Sequence, residues 1–117
     1  MSTDTQLYLG LGYCALLVLL AWIFYKKQPK TINSLYGYRT PRSMKNQQTW
    51  EAANRFSSVF MLRLCYGAFS LPFIGYLAYP QQNLFVTLMV HSGLLIGVII
   101  FTERHLKSRF DASGNPK

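Results

Sequence analysis

Carboxylates are scarce in this chain of 117 residues: Asp4, Glu51, Glu103 and Asp111 are all it holds. Two of them, Asp4 and Asp111, lie near the ends. Paired acids for general acid–base work are therefore hard to assemble. There is no glycine-rich phosphate loop and no Ser nucleophile in a recognisable setting. Hydrolase chemistry is poorly supplied, and the chain is not expected to be an enzyme. Cysteine is sparser still. Cys14 and Cys65 belong to no CxxC pair and no His/Cys cluster, so both read as small core residues, with no metal site and no cofactor expected. Charge of either sign is missing from Thr5 to Tyr25.

Long apolar runs fill the space that charge leaves. LYLGLGYCALLVLLAWIFY, Leu7 to Tyr25, is nineteen residues, or about 28 Å of helix at about 1.5 Å per residue, enough to cross a bilayer. A secretory signal peptide is the rival reading and is not expected from the flanks, because only Asp4 precedes the run while Lys26 and Lys27 follow it. A second run, residues 59–79, carries one charge at Arg63. A third, residues 84–102, carries none but contains His91, and YPQQN makes a tight turn between the two. The expected fold is all-α: an integral membrane bundle of three transmembrane helices (about 7–25, 59–79 and 84–102) forming one domain over 1–106, with a polar loop over 26–58 and a flexible tail over 107–117.

Basic residues set the expected orientation, since Lys and Arg stay on the cytoplasmic side of short loops. The loop holds Lys26, Lys27, Lys30, Arg39, Arg42, Lys45 and Arg55, and the tail region Arg104, Lys107, Arg109 and Lys117; Arg63 completes the twelve. The amino terminus is thus expected outside, the loop and carboxyl terminus inside, in a bacterial cytoplasmic (inner) membrane. This placement also accounts for the net charge of +8. It points to anionic lipid headgroups at the cytoplasmic face, at about 1 kcal/mol per basic residue, rather than to nucleic acid.

The loop has its own design. Pro29 blocks extension of the first helix, Asn33 to Tyr38 supplies turn chemistry between aromatics, and Pro41 holds Thr40 extended. Ser43 or Asn46 can then cap a helix that begins before the second span and continues into it, with Trp50, Ala53, Ser57, Phe60 and Leu64 on one face. Pro72 is expected to kink that span, with Gly67 and Gly75 softening it.

Asn33-Ser34-Leu35-Tyr36-Gly37-Tyr38-Arg39-Thr40-Pro41, followed by Asn46, Trp50 and Asn54, resembles the signature of the SdpI family of membrane proteins. The resemblance covers about twenty residues with the flanking spans in order. Lys45, Gln47 and Gln48 depart from it, standing where the family pattern has acidic residues. The family includes an immunity factor against a secreted peptide toxin, which is larger, with more spans ahead of this module. The resemblance implies tolerance to a membrane-active peptide, and Tyr36, Gly37, Arg39, Thr40, Pro41, Asn46, Trp50 and Asn54 become candidate binding residues.

Each candidate also has a structural reading. Arg39 can hold a phosphate or carboxylate as a bidentate fork or can brace the loop. Gly37 can supply a positive φ, and Asn54 can satisfy backbone groups near Arg39. Arg63, a turn inside its span, is expected to snorkel and to meet Glu103. His91, near mid-membrane, is a functional candidate or a neutral imidazole hydrogen-bonded to a Tyr, a Ser or a carbonyl. Gly93 and Gly97 form a GxxxG pair suited to close helix packing, within the chain or in a homo-oligomer.

Two other functions fit these parts. One is an accessory subunit of a larger membrane complex. The other is binding or processing of a lipid phosphate at the inner leaflet through Arg39, Arg42, Lys45 and Arg63.

Overall fold

The computed structural model describes all 117 residues and is built from helices alone. Helix α1 spans Thr3–Lys26, α2 Gln47–Gly67, α3 Ser70–Ala78 and α4 Asn83–Arg109, with a 3-10 turn over Pro80–Gln82. Three stretches are long and apolar enough to cross a membrane: α1, α2 with α3 (Gln47–Ala78), and Pro80–Arg109.

Local chemistry explains the boundaries. Ser2 caps α1 by accepting from the Thr5 N–H at 3.0 Å, and α1 stops at Lys26, short of Pro29. Asn46, not Ser43, caps α2. Its side chain accepts from the Thr49 N–H at 2.9 Å, and its own N–H donates to Thr49 Oγ1 at 3.1 Å. This reciprocal pair satisfies two amides that the first turn of a helix leaves free. The break between α2 and α3 falls one turn upstream of Pro72. Having no N–H, Pro72 leaves the Ala68 carbonyl free of its helical partner. The Leu71 N–H takes that carbonyl at 3.0 Å, and Cys14 Sγ of α1 approaches it at 3.6 Å.

Burial is inverted relative to a protein folded in water. Leu16, Leu19, Leu20, Phe85, Ile96 and Ile100 are exposed, whereas Asn54, Ser57, Ser58, Asn83, Thr87, His91 and Thr102 are buried. Small and polar residues line the contacts of α2 with α1 and α4, and large apolar ones face outward, as lipid demands. The long axis measures 53 Å, well beyond the about 30 Å of a hydrocarbon core. The excess is a polar cap at one end, built from the 27–46 loop, the start of α2, the end of α4 and the tail.

The tail from Lys107 to Lys117, expected to be flexible, is folded onto this cap. Helix α4 runs to Arg109, Phe110 is buried beside Ala53 and Leu106, and Asp111 Oδ1 accepts from the Ser113 and Asn115 N–H groups at 2.9 Å each. Gly114, at φ 87°, closes the turn, and its carbonyl accepts from Asn46 Nδ2 at 2.7 Å.

Candidate functional site

The cap is organised by two side chains, one on each long helix. On α2, Asn54 is buried; its Oδ1 accepts from the Tyr38 N–H at 2.7 Å, and its Nδ2 donates to the Trp50 carbonyl at 2.9 Å. One turn earlier Trp50 is fully buried and donates its indole N–H to the Pro29 carbonyl at 2.9 Å. The start and the middle of the loop are thereby fixed to one helix. On α4, Glu103 Oε1 accepts from the Tyr38 hydroxyl at 2.8 Å and from Thr40 Oγ1 at 2.7 Å, while Oε2 lies 3.4 Å from Arg42 Nε in the one ion pair of the structure.

These contacts correct the expected Arg63–Glu103 pair. The Thr40–Pro41 corner brings Arg42 across to Glu103 and fills the carboxylate with loop donors, whereas Arg63 is exposed on α2 with no ion pair. Arg39 is likewise exposed, with neither a hydrogen bond nor an ion pair inside the chain. The bracing considered for Arg39 is done by Arg42, three residues on.

Gly37 sits at φ 108°. A Cβ there would stand 2.5 Å from Pro29 Cγ and 2.7 Å from Asn54 Oδ1, so both the conformation and the space require glycine. Tyr36 donates its hydroxyl to the Lys27 carbonyl and sets its ring edge-on to Phe24 at 6.0 Å. Thr40 and Ser43 form a closed turn: the Thr40 N–H donates to Ser43 Oγ at 2.9 Å and the Ser43 N–H to Thr40 Oγ1 at 3.1 Å, with Pro41 exposed at its tip. Burial, and after it the hydrogen bond to Glu103, holds the Tyr38 hydroxyl well above the ordinary tyrosine pKa of 10.0.

Beneath the cap lies an apolar groove of about 420 Å³. Leu20 and Phe24 of α1, Met61 and Cys65 of α2, and Leu95 and Ile99 of α4 form its walls, and Tyr36, Gly37 and Tyr38 stand over it. The Tyr38 hydroxyl also reaches the Ile99 carbonyl at 3.2 Å, tying this roof to α4.

Deeper in the bundle His91 is fully buried with Tyr13 edge-on at 5.2 Å, and neither ring nitrogen has a hydrogen-bond partner. The expected Tyr, Ser or carbonyl partner is absent. Thr87 and Thr102, on the same buried face of α4, also lack partners for their hydroxyls. Gly93 and Gly97 pack against nothing in this chain, since a Cβ on either would have open space within 4 Å. Intramolecular close packing is therefore not their role. No group of His, Cys, Asp and Glu is placed to hold a metal ion.

Four contributors make contacts in the cap that sequence reasoning did not foresee: Tyr38, Arg42, Ser43 and the tail turn. Tyr38 lies inside the signature stretch, and Asp111-Ala112-Ser113-Gly114-Asn115 carries a turn composition that marks it for local order. For Arg42 no local signal exists, because its partner is supplied by a helix sixty residues on.

Residues 30–102 match the SdpI/YfhL protein family, a region holding most of the loop, α2, α3 and most of α4. A relative from Bacillus subtilis (strain 168), described as uncharacterized protein YfhL, is 36% identical over 93 residues, covering 76% of this chain and 77% of the relative. No solved structure matches. With the signature loop, the three membrane-spanning helices and these similarities together, the chain is a multi-pass membrane protein and belongs to the SdpI/YfhL protein family.

Proposed function

We propose that this protein confers tolerance to a membrane-active peptide toxin by binding the peptide within the bilayer, in the apolar groove beneath the cap. The observation that carries this reading is the position of the signature residues: Tyr36, Gly37 and Tyr38 form the roof of the groove. A loop held rigid by Asn54, Trp50 and Glu103 gives that groove a fixed shape, which lowers the ordering cost of binding. The role is recognition rather than catalysis, since Glu103, the carboxylate nearest the loop, is engaged by Tyr38, Thr40 and Arg42. The cap faces the cytoplasm and the amino terminus the outside of the cytoplasmic membrane, a reading supported by the gathering of eleven of the twelve Lys and Arg residues at the end of α1, in the loop, at the start of α2 and at the end of α4 with its tail. Arg39, unpaired on the cap, is available to pass the bound state to a cytoplasmic partner.

The test is capture in place. A photo-crosslinking residue at Met61, facing the groove, is expected to trap a peptide toxin of the SdpI-sensitive type in membranes, while the same residue at Leu77, exposed at the far end, does not. Equal capture at both positions, or none at Met61, removes the groove as the binding site.

A second reading, an accessory subunit of a membrane complex, is favoured by Gly93 and Gly97, whose open surroundings on α4 leave room for a partner helix. Copurification of a stoichiometric membrane partner in mild detergent would distinguish it from toxin tolerance.

A further inference from the structure

A different face of α2 from the one lining the apolar groove forms, with α4 and the tail, a cleft of about 590 Å³ at the cap end. Its rim carries Arg55 of α2, Arg109 of α4 and Lys117 of the tail, with Glu51 as the one acidic side chain. None of the three cations belongs to an ion pair, and Glu51 is already held by Gln47 Nε2 at 3.0 Å. The cleft thus has an uncompensated positive rim.

Its floor is apolar and leads into the membrane-spanning part of the bundle. Phe56 stacks on His105 with ring centroids 4.3 Å apart, Phe60 lies one turn further along α2 at 5.8 Å from Phe56, and Phe101 of α4 lies 5.4 Å from Phe60. This strip follows the α2–α4 seam away from the cap. Cations at the rim with a continuous aromatic strip below them complement a molecule carrying a phosphate at one end and a hydrocarbon chain at the other. A free phosphate uses only the upper half of this arrangement. Arginine adds the capacity for bidentate contact with phosphate oxygens.

We propose that this cleft binds the headgroup of an anionic phospholipid, with Arg55, Arg109 and Lys117 on the phosphate-bearing headgroup and one acyl chain along Phe56, Phe60 and Phe101. The site is separate from the groove and does not depend on the toxin-tolerance reading.

Native mass spectrometry of the full chain in detergent micelles, with equal amounts of phosphatidylglycerol and phosphatidylcholine, tests it. Each cation near an anionic headgroup is worth about a fivefold change in binding. The wild type is therefore expected to favour phosphatidylglycerol by about tenfold or more, and R55Q/R109Q to bind the two lipids within about twofold of each other. The control K26Q/K27Q, at the carboxyl end of α1, retains the wild-type preference. Melting curves establish that each variant is folded, and R109Q alone, expected to lose about fivefold, serves if the double variant does not fold. An undiminished preference in the arginine variants overturns the site, as does an equal loss in K26Q/K27Q. Displacement of phosphatidylglycerol by millimolar inorganic phosphate alone would assign the cleft to a free anion and overturn the lipid.

Discussion

At the scale of single residues, the cap rests on positions where no other side chain meets the same demands. For Gly37→Ala, positive φ and a Cβ within 3 Å of both Pro29 and Asn54 combine strain with overpacking, and a loss of about 2–4 kcal/mol is expected. Thermal melting of the purified protein in detergent measures it. Asn54→Ala leaves the Tyr38 N–H without its acceptor in a buried setting and should lower stability by about 1–3 kcal/mol. Tyr38 gives a pH signature. Its raised pKa means that its contribution to stability is complete below about pH 10, the ordinary tyrosine value, and is lost as pH rises through the higher folded value. In an alkaline absorbance titration Tyr38 should ionise above the ordinary tyrosine range, and Tyr38→Phe should reduce the late-ionising signal by one tyrosine. His91 differs, because an imidazole with both nitrogens buried and unpartnered costs free energy. His91→Phe is expected to melt at or above the wild-type temperature; a lower melting temperature would reveal a stabilising role for the imidazole.

At the scale of elements, legibility in the sequence followed the range of the interactions. The spans were readable because each is a continuous apolar run, and the start of α2 because Asn46 and Thr49 lie three residues apart in one capping motif. Asn54 follows Trp50 by one turn of the same helix, so its role toward the loop near Arg39 was also readable. Glu103 was assigned the wrong arginine because its partner depends on how a loop folds over a helix distant in sequence, and charge content alone favoured Arg63. Contacts between the tail and α2, such as Asn46 to Gly114, were hidden for the same reason. Glu103→Gln, which removes the charge that Arg42 meets and weakens acceptance from Tyr38 and Thr40, should cost about 1–3 kcal/mol and increase amide hydrogen exchange in the 36–43 stretch first. Unchanged exchange there would mean that Asn54 and Trp50 hold the loop without α4.

At the scale of the whole molecule, a thin bundle buries small and polar side chains inside, presents large apolar ones to lipid, and concentrates its charge and its folded polar structure at one end. That end carries the signature loop of the SdpI/YfhL family, and beneath the loop lies an apolar groove of a size that side chains of a membrane-embedded peptide can enter. Filling the groove without touching the cap separates the two. Met61→Trp adds bulk to the groove wall while leaving every hydrogen bond to Asn54, Trp50 and Glu103 in place. The most direct measurement is the survival of a sensitive bacterial strain challenged with SdpI-type peptide toxins while expressing the wild type or Met61→Trp at equal membrane levels. Protection by the wild type and its loss in Met61→Trp is the predicted result; no protection by the wild type, or equal protection by both, would contradict tolerance through this groove.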